Sequence, residues 1–390
     1  MTPLTEAAFW WAVAMLVYAY AGFPVLVGLV GLWKRHEVSK DSKDREAPTV
    51  SVIIAAFNEE AAIGDRLENV LASDYPPGRI EVIVADDGST DGTASIVDRY
   101  RERGVRLLSL PRRGKIPALN DAAATARGDI LVFSDANIHC HPAAIGAMVQ
   151  NFGDPRVGGV AGHCTYLVTA RTESSGDGER LYWRYDTWLK QLESHTGSVV
   201  SAHGGLYAVR RRLFMTVTDS SVTDDFAIST AVIEQGYRLV FEPNARAVEH
   251  TTTEARREMR RRVRLMTRGL RGVCLRRRLL NPFRFGFYAI SLFSHKVLRR
   301  LAPVWLVVIA LATSMLAAAG NRFFIAIGLG QLAFYGLAIA GGLLRRRRIG
   351  RLKPLCIPFY YCMANAASAL ALWHFLRGTR ISLWQPQRFA

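Results

Sequence analysis

The sequence predicts an α/β domain, a mostly parallel sheet with helices on both faces, set between transmembrane helices. Three observations lead there. Apolar strand-like runs alternate with helical segments from Val50 to Ser134. The polar block from about residue 45 to 280 is flanked by charge-free runs long enough to cross a bilayer. Acidic and amide side chains recur just past the carboxyl ends of the strands, where open α/β sheets bind their ligands.

Taken in order, Phe9 to Trp33 carries no charge over 25 residues, so residues 1–34 are read as an N-terminal transmembrane helix. The run lacks a basic start and exceeds the apolar core of a cleaved signal, which argues for an anchor. Residues 35–48 form a charged linker. In the first half of the domain, 49–165, Val50 to Ala56 is apolar nearly throughout, as a strand buried on both faces requires. Glu59 to Leu71 has helical periodicity, and the cluster Asp74-Tyr75-Pro76-Pro77-Gly78 marks a turn. Ile80 to Ala85, Val105 to Leu110 and Ile130 to Ser134 continue as strands, with helices over Ile96 to Arg103 and Ile116 to Ala126 between them.

The second half, 166–280, is less regular. Gly158 to Cys164, Leu206 to Val209 and Arg238 to Glu242 read as strands, with helices over Gly178 to Glu193, Asp224 to Gln235 and the strongly basic Glu254 to Arg278. Residues 281–300 mix aromatic and basic side chains like an interfacial amphipathic helix. Leu301 to Gly320, Phe323 to Leu344 and Pro354 to Leu376 give about three further spans within 301–376, before a tail over 377–390.

The formal charge of +17 raises a nucleic-acid partner, but no nucleic-acid module accompanies it. Much of the excess sits at membrane borders, at Lys34-Arg35, Arg299-Arg300 and Arg345 to Arg348. The positive-inside rule then puts the N-terminus outside and the domain in the cytoplasm, in a plasma or inner membrane. The five cysteines form no CxxC pair and read as reduced cytosolic thiols.

Six segments carry the chemistry: Ala55-Ala56-Phe57-Asn58-Glu59-Glu60, Asp86 to Thr93, Lys115 with Ala118-Leu119-Asn120, Ser134-Asp135-Ala136-Asn137, Gly204 to Arg211, and Thr223-Asp224-Asp225. In this order they resemble the inverting family 2 glycosyltransferases of GT-A fold, in the membrane-bound branch that includes polysaccharide synthases. The resemblance covers about Val50 to Arg268. It implies a nucleotide-sugar pocket in 49–165 and an acceptor and catalytic half in 166–280. Ala55, Asn58, Glu59, Asp86 and Asp87 would hold the nucleotide, since a carboxylate accepts from a base N–H or a ribose hydroxyl. Lys115 and Arg264 would offset diphosphate charge.

Asp135-Ala136-Asn137 stands where the family has Asp-x-Asp, so Asp135 and Asn137 would ligate a divalent cation, Mg2+ or Mn2+. The amide in the third position brings no charge. His250 is carried as a further candidate ligand. Asp225 matches the family's catalytic base, with Asp224 in place of a glutamate, and His203, Gly204, Gly205, Asp224 and Leu265 would meet the acceptor. Processive synthases carry Gln-x-x-Arg-Trp beside the site. Here Arg261-Arg262-Val263-Arg264-Leu265 keeps the arginine and lacks the tryptophan, which puts long-chain processivity in doubt.

The expected activity is transfer of a sugar, from a UDP-sugar by the resemblance, to a hydroxyl of a glycan or lipid-linked acceptor in envelope or exopolysaccharide synthesis. A single transfer to a polyprenyl phosphate and a non-catalytic membrane scaffold or export component are the alternatives. Membrane lipids are expected partners, nucleic acid is not, and homo-oligomers are left open. The tail from Gly378 to Arg388 resembles the synthases' gating loop, which would be cytoplasmic, whereas three spans after the domain would put it outside.

Overall fold

The computed structural model describes residues 2–40, 46–168, 175–251, 255–345 and 347–380. Eight strands form one sheet: β1 (Val50–Ala56), β2 (Ile80–Asp86), β3 (Val105–Ser109), β4 (Ile130–Asp135), β5 (Ile138–Cys140), β6 (Val157–Val168), β7 (Leu206–Arg210) and β8 (Arg238–Thr251), in the order β3-β2-β1-β4-β7-β6-β8-β5. The first four are mutually parallel, as the alternating pattern predicts. β7 runs antiparallel to both β4 and β6, and β8 is parallel to β6 but antiparallel to β5. The sheet is therefore mixed, with its parallel half in the first domain half.

Alternation along β1 shows why its sequence has no polar face. Ile53 and Ala55 pack beneath the helix Lys115–Thr125, and Val52 and Ile54 pack beneath the helix Glu60–Leu71 on the other side. Every residue of the strand is buried, so helices must cover both faces.

Two elements depart from the sequence expectation. β5 pairs Ile138 with Glu249 and is too short for a periodicity to show. β8 continues to Thr251, well past the expected end at Glu242, because its register against β6 shifts between Gly162 and His163. Pro243, which signals a stop in a sequence, is accommodated at that irregularity.

Four helical stretches are apolar enough to cross a membrane by length and composition: Pro3–Trp33, Phe287–Ala318, Arg322–Leu344 and Lys353–Leu376. One precedes the domain and three follow it, as expected. The aromatic and basic segment expected at 281–300 is a short helix, Pro282–Phe285, followed by residues that run on without a break into the second span. That junction and the first stretch are fastened to each other and to the domain. Tyr18 Oη and Ser294 Oγ are 3.1 Å apart, Tyr185 Oη donates to Tyr20 O at 2.9 Å, and Tyr288 Oη donates to Val200 O at 2.8 Å. His295 lies 2.8 Å from Glu193 through Nδ1 and 3.6 Å from Asp186 through Nε2, and Asp186 also meets Lys190 at 2.8 Å. Burial opposes ionisation of Asp186, yet Lys190 and His295 hold its carboxyl well below the usual range.

The fourth stretch has the composition of a span but pairs along its length with the basic helix Ala255–Leu275. Arg262 bonds to Tyr360 Oη, Ser368 Oγ lies 3.5 Å from Met266 Sδ, Thr267 Oγ1 lies 3.4 Å from Ala371 O, and Arg271 Nη2 donates to Thr379 O at 2.8 Å.

Candidate active site

Parallel pairing sets the geometry. Across β1, Ala56 stands opposite Asp86 and Ala55 opposite Asp135, so the two acids end the strands that flank β1, at the same carboxyl end of the sheet. Ala55 is itself buried and presents only backbone there.

Asp86 and Asp87 organise their own loop. Asp86 accepts from the Ser89 backbone N–H at 3.3 Å and from the Ser89 hydroxyl, and burial nonetheless pushes its carboxyl upward. Asp87 is 1% exposed and accepts from the backbone N–H of Arg113 at 2.8 Å, of Gly114 at 2.9 Å, and from the Arg112 guanidinium. The turn needs Gly88 at φ +73°, where an added Cβ would stand 3.0 Å from Arg112 N. Asn58, itself at φ 54°, accepts from Thr90 N at 2.7 Å through Oδ1, and the Glu59 N–H donates to Thr93 Oγ1 at 2.8 Å. The nucleotide candidates thus form one hydrogen-bonded wall, with Asp86 and Asp87 serving its backbone.

A second group converges around Lys115, the first residue of its helix. Its Nζ lies 2.7 Å from Asp135 Oδ1 and 2.9 Å from Asp224 Oδ2, the latter as an ion pair without hydrogen-bond alignment. Burial would lower the ammonium's pKa, but the two carboxylates raise it above its ordinary value. Asp224 and Asp225 open the helix Asp224–Glu234, where carboxylates complement the helix dipole. Burial and the Asp224 charge both raise Asp225. Its Oδ1 accepts from the Phe226 N–H at 2.7 Å, while Oδ2 faces Gly204, where an added Cβ would stand 3.7 Å away. The Tyr207 hydroxyl is buried without an aligned hydrogen-bond partner and faces the same carboxylates, which, after burial, hold its pKa well above normal.

Among the acceptor candidates, Gly205 N donates to His203 Nδ1 at 3.4 Å, and the His203 ring meets Trp183 edge to face at 5.6 Å. Burial first, then Lys190 and Arg261, bring the His203 pKa down to about 3, so the ring is neutral. Gly205 backs onto Cys164, and its carbonyl accepts from Ser134 Oγ at 3.1 Å, which links the turn at Gly204-Gly205 to the end of β4. Arg264 is half-buried, and burial with Arg268 and Arg261 lowers its pKa. Leu265 is 42% exposed and is not drawn into the cluster.

Three residues outside the expected set belong here. Arg268 donates to Val222 O at 2.9 Å and Ser220 O at 3.2 Å, fixing the segment that delivers Asp224 and Asp225. Surrounded by other arginines on its helix, it has no signal of its own in the sequence. Glu249, on β8 opposite Ile138, is hydrogen-bonded to the Asn137 side chain, with burial and the Asp135 charge raising its carboxyl. Trp183 supplies an aromatic ring beside His203 that no motif indicated.

The donor set suits a hard divalent cation shared with a ligand. Asp135 offers a carboxylate and Asn137 an amide oxygen. Among the described residues no three His, Cys, Asp or Glu side chains converge as a metal site, so a cation here needs phosphate oxygens and water to complete its shell. The His250 side chain lies outside the described residues.

Residues 51–218 match the sequence profile of glycosyl transferase family 2. Over those residues the chain is similar to family 2 glycosyltransferases, and its fold is of the GT-A type. It is 29% identical over 191 residues to the beta-monoglucosyldiacylglycerol synthase of Synechocystis, covering 47% of this chain and 40% of that protein. It is 30% identical over 210 residues to the poly-beta-1,6-N-acetyl-D-glucosamine synthase of Staphylococcus aureus, covering 51% of this chain and 49% of that one. The chain thus spans less than half the length of these curated relatives. Among solved structures, a mannosyltransferase from Pyrobaculum calidifontis, in complex with GDP-Man and Mn2+, superposes with a TM-score of 0.68 at 25% identity, covering 96% of this chain and 100% of that one.

Proposed function

We propose that the protein is a membrane-embedded inverting glycosyltransferase that moves a sugar from a nucleotide-diphospho-sugar to an acceptor hydroxyl in envelope glycan or glycolipid synthesis. The observation that carries this reading is Lys115 joined to both Asp135 and Asp224, one residue from Asp225. It supports a reading in which an ammonium, a carboxylate on the diphosphate side and a base act as one cluster.

In this reading the acceptor hydroxyl attacks the anomeric carbon and its proton passes to Asp225 Oδ2, the oxygen not engaged by Phe226. The bond from the anomeric carbon to the diphosphate oxygen breaks, and its electron pair leaves with the nucleoside diphosphate. Lys115 and Arg264 offset the charge that develops there. Asp135 and Asn137 would hold a divalent cation, which supplies further neutralisation when bound. Gly204 leaves room for the acceptor, and neutral His203 with Trp183 borders it. A polyprenyl phosphate acceptor would have no proton for Asp225 to take, which favours a hydroxyl.

Thermal stabilisation of the purified chain across UDP- and GDP-sugars, each with Mg2+ and with Mn2+, identifies donor and cation. Mass spectrometry of the product then identifies the acceptor. Stabilisation by none of the donors, with no donor hydrolysis, would leave a non-catalytic scaffold as the better account.

A further inference from the structure

A cavity of about 710 Å³, none of whose lining residues belongs to the acidic cluster, lies between the basic helix Ala255–Leu275 and the helices Arg322–Leu344 and Lys353–Leu376. Along Arg322–Leu344 its lining residues recur as Tyr335, Ala338, Ile339 and Gly342, one helical face, and Arg345 ends that series. Phe359 and Met363 close the opposite wall, and Arg260 joins from the basic helix. Ile339 is 66% exposed, so the apolar part opens outward along a membrane-length helix.

Arg260 and Arg345 make the cavity amphipathic. Neither guanidinium meets a carboxylate or an aromatic ring among the described residues. An apolar slot that opens along a membrane-length helix and ends in two guanidinium groups matches a molecule with a hydrocarbon tail and a negative head. The volume is that of a ligand pocket, not a packing defect.

We propose that this cavity is a binding site for an anionic phospholipid, with an acyl chain along Ala338 and Ile339 and the phosphate on Arg260 and Arg345. Arg260 lies one helical turn before Arg264, so the bound lipid braces the helix that also carries Arg264 and Arg268. The proposal stands independently of the sugar transferred.

The test uses the full chain exchanged into mixtures of phosphatidylglycerol and phosphatidylcholine with matched acyl chains, and native mass spectrometry to count retained lipid. Phosphatidylglycerol should be retained in preference, with roughly a fivefold loss for each of Arg260→Gln and Arg345→Gln. Ile339→Trp, which fills the outward mouth at an exposed position, should reduce retention of both lipids while leaving the melting temperature unchanged. Equal retention of the two lipids by the unmodified chain would overturn the proposal. So would unchanged phosphatidylglycerol retention in the doubly substituted R260Q/R345Q chain or in I339W. Displacement of the lipid by an equal concentration of glycerol phosphate, which has no acyl chain, would show a site for the free anion instead.

Discussion

Lys115 and Asp135 stand 2.7 Å apart, Nζ to Oδ1, with side chains only 11% and 27% exposed. The same ammonium reaches Asp224, so one cation ties the tip of β4 to the helix that presents Asp225. Removing a partner from a buried pair costs more than the pair's net worth, because the remaining charge is stranded. Lys115→Met should lower unfolding free energy at neutral pH by about 3 kcal/mol, measured by urea titration. Lys115→Arg, which keeps a positive charge, should lose less than Lys115→Met. Equal losses in the two variants would rule out the pair as their origin.

Asp225 should set the acid limb of the pH–rate profile. Burial and Asp224 raise its carboxyl, and a base must be ionised to act. The rate should therefore rise through a pKa above the model-peptide carboxylate value, and Lys115→Met should move that limb higher still. Asp225→Asn should reduce turnover by roughly 10² to 10⁴-fold and leave the donor dissociation constant within about twofold, read by calorimetry. The stability consequence has the opposite sense. A carboxyl raised on folding contributes stability at low pH that is lost as pH rises through the folded pKa, and the asparagine variant should lack that contribution.

The Asn137 side chain bonds to Glu249, which leaves its amide oxygen for a cation. Asn137→Asp would add a second carboxylate beside Asp135 and should tighten Mn2+ binding by about tenfold through ligand charge, as followed by electron paramagnetic resonance in the presence of nucleoside diphosphate. Glu249 would then face a like charge and titrate higher. Unaltered Mn2+ affinity would separate Asn137 from the cation.

The helix Lys353–Leu376 should end on the catalytic domain's side of the bilayer. Its bonds to Ala255–Leu275 run from Tyr360 to the turn at Thr379, and a helix so rich in arginine cannot accompany it through hydrocarbon. A reporter fused after residue 380 should share the accessibility of one inserted in the polar loop near residue 103. Opposite accessibility would mean that this helix crosses.

The parallel half of the sheet and the acids at its tips were legible because strands covered on both faces leave unbroken apolar runs, as Val50–Ala56 does. The reach of β8 to Thr251 was hidden by Pro243, whose missing N–H reads as a stop until the register shift beside β6 is seen. Asp86 and Asp87 were recognisable as a motif, but not as acceptors for their own loop, since Gly114 and Ser89 meet them only after folding. Arg268 was obscured by its company. Among so many arginines, nothing local distinguishes the one that holds Val222 O. Glu249 lies across an antiparallel pair from the Asn137 segment, a neighbourhood that pattern along the chain cannot express.

The Glu193–His295 contact also bears on how this protein can be prepared. Glu193 is 0% exposed and draws its partner from the stretch that becomes the second span. Truncation ahead of Phe287 would leave Glu193 and Asp186 dehydrated without that imidazole and would strip Tyr288 from Val200. A water-soluble fragment trimmed at the end of the sugar-transfer domain should therefore aggregate, and detergent-solubilised full-length material is the form on which assays and crystallisation should be built.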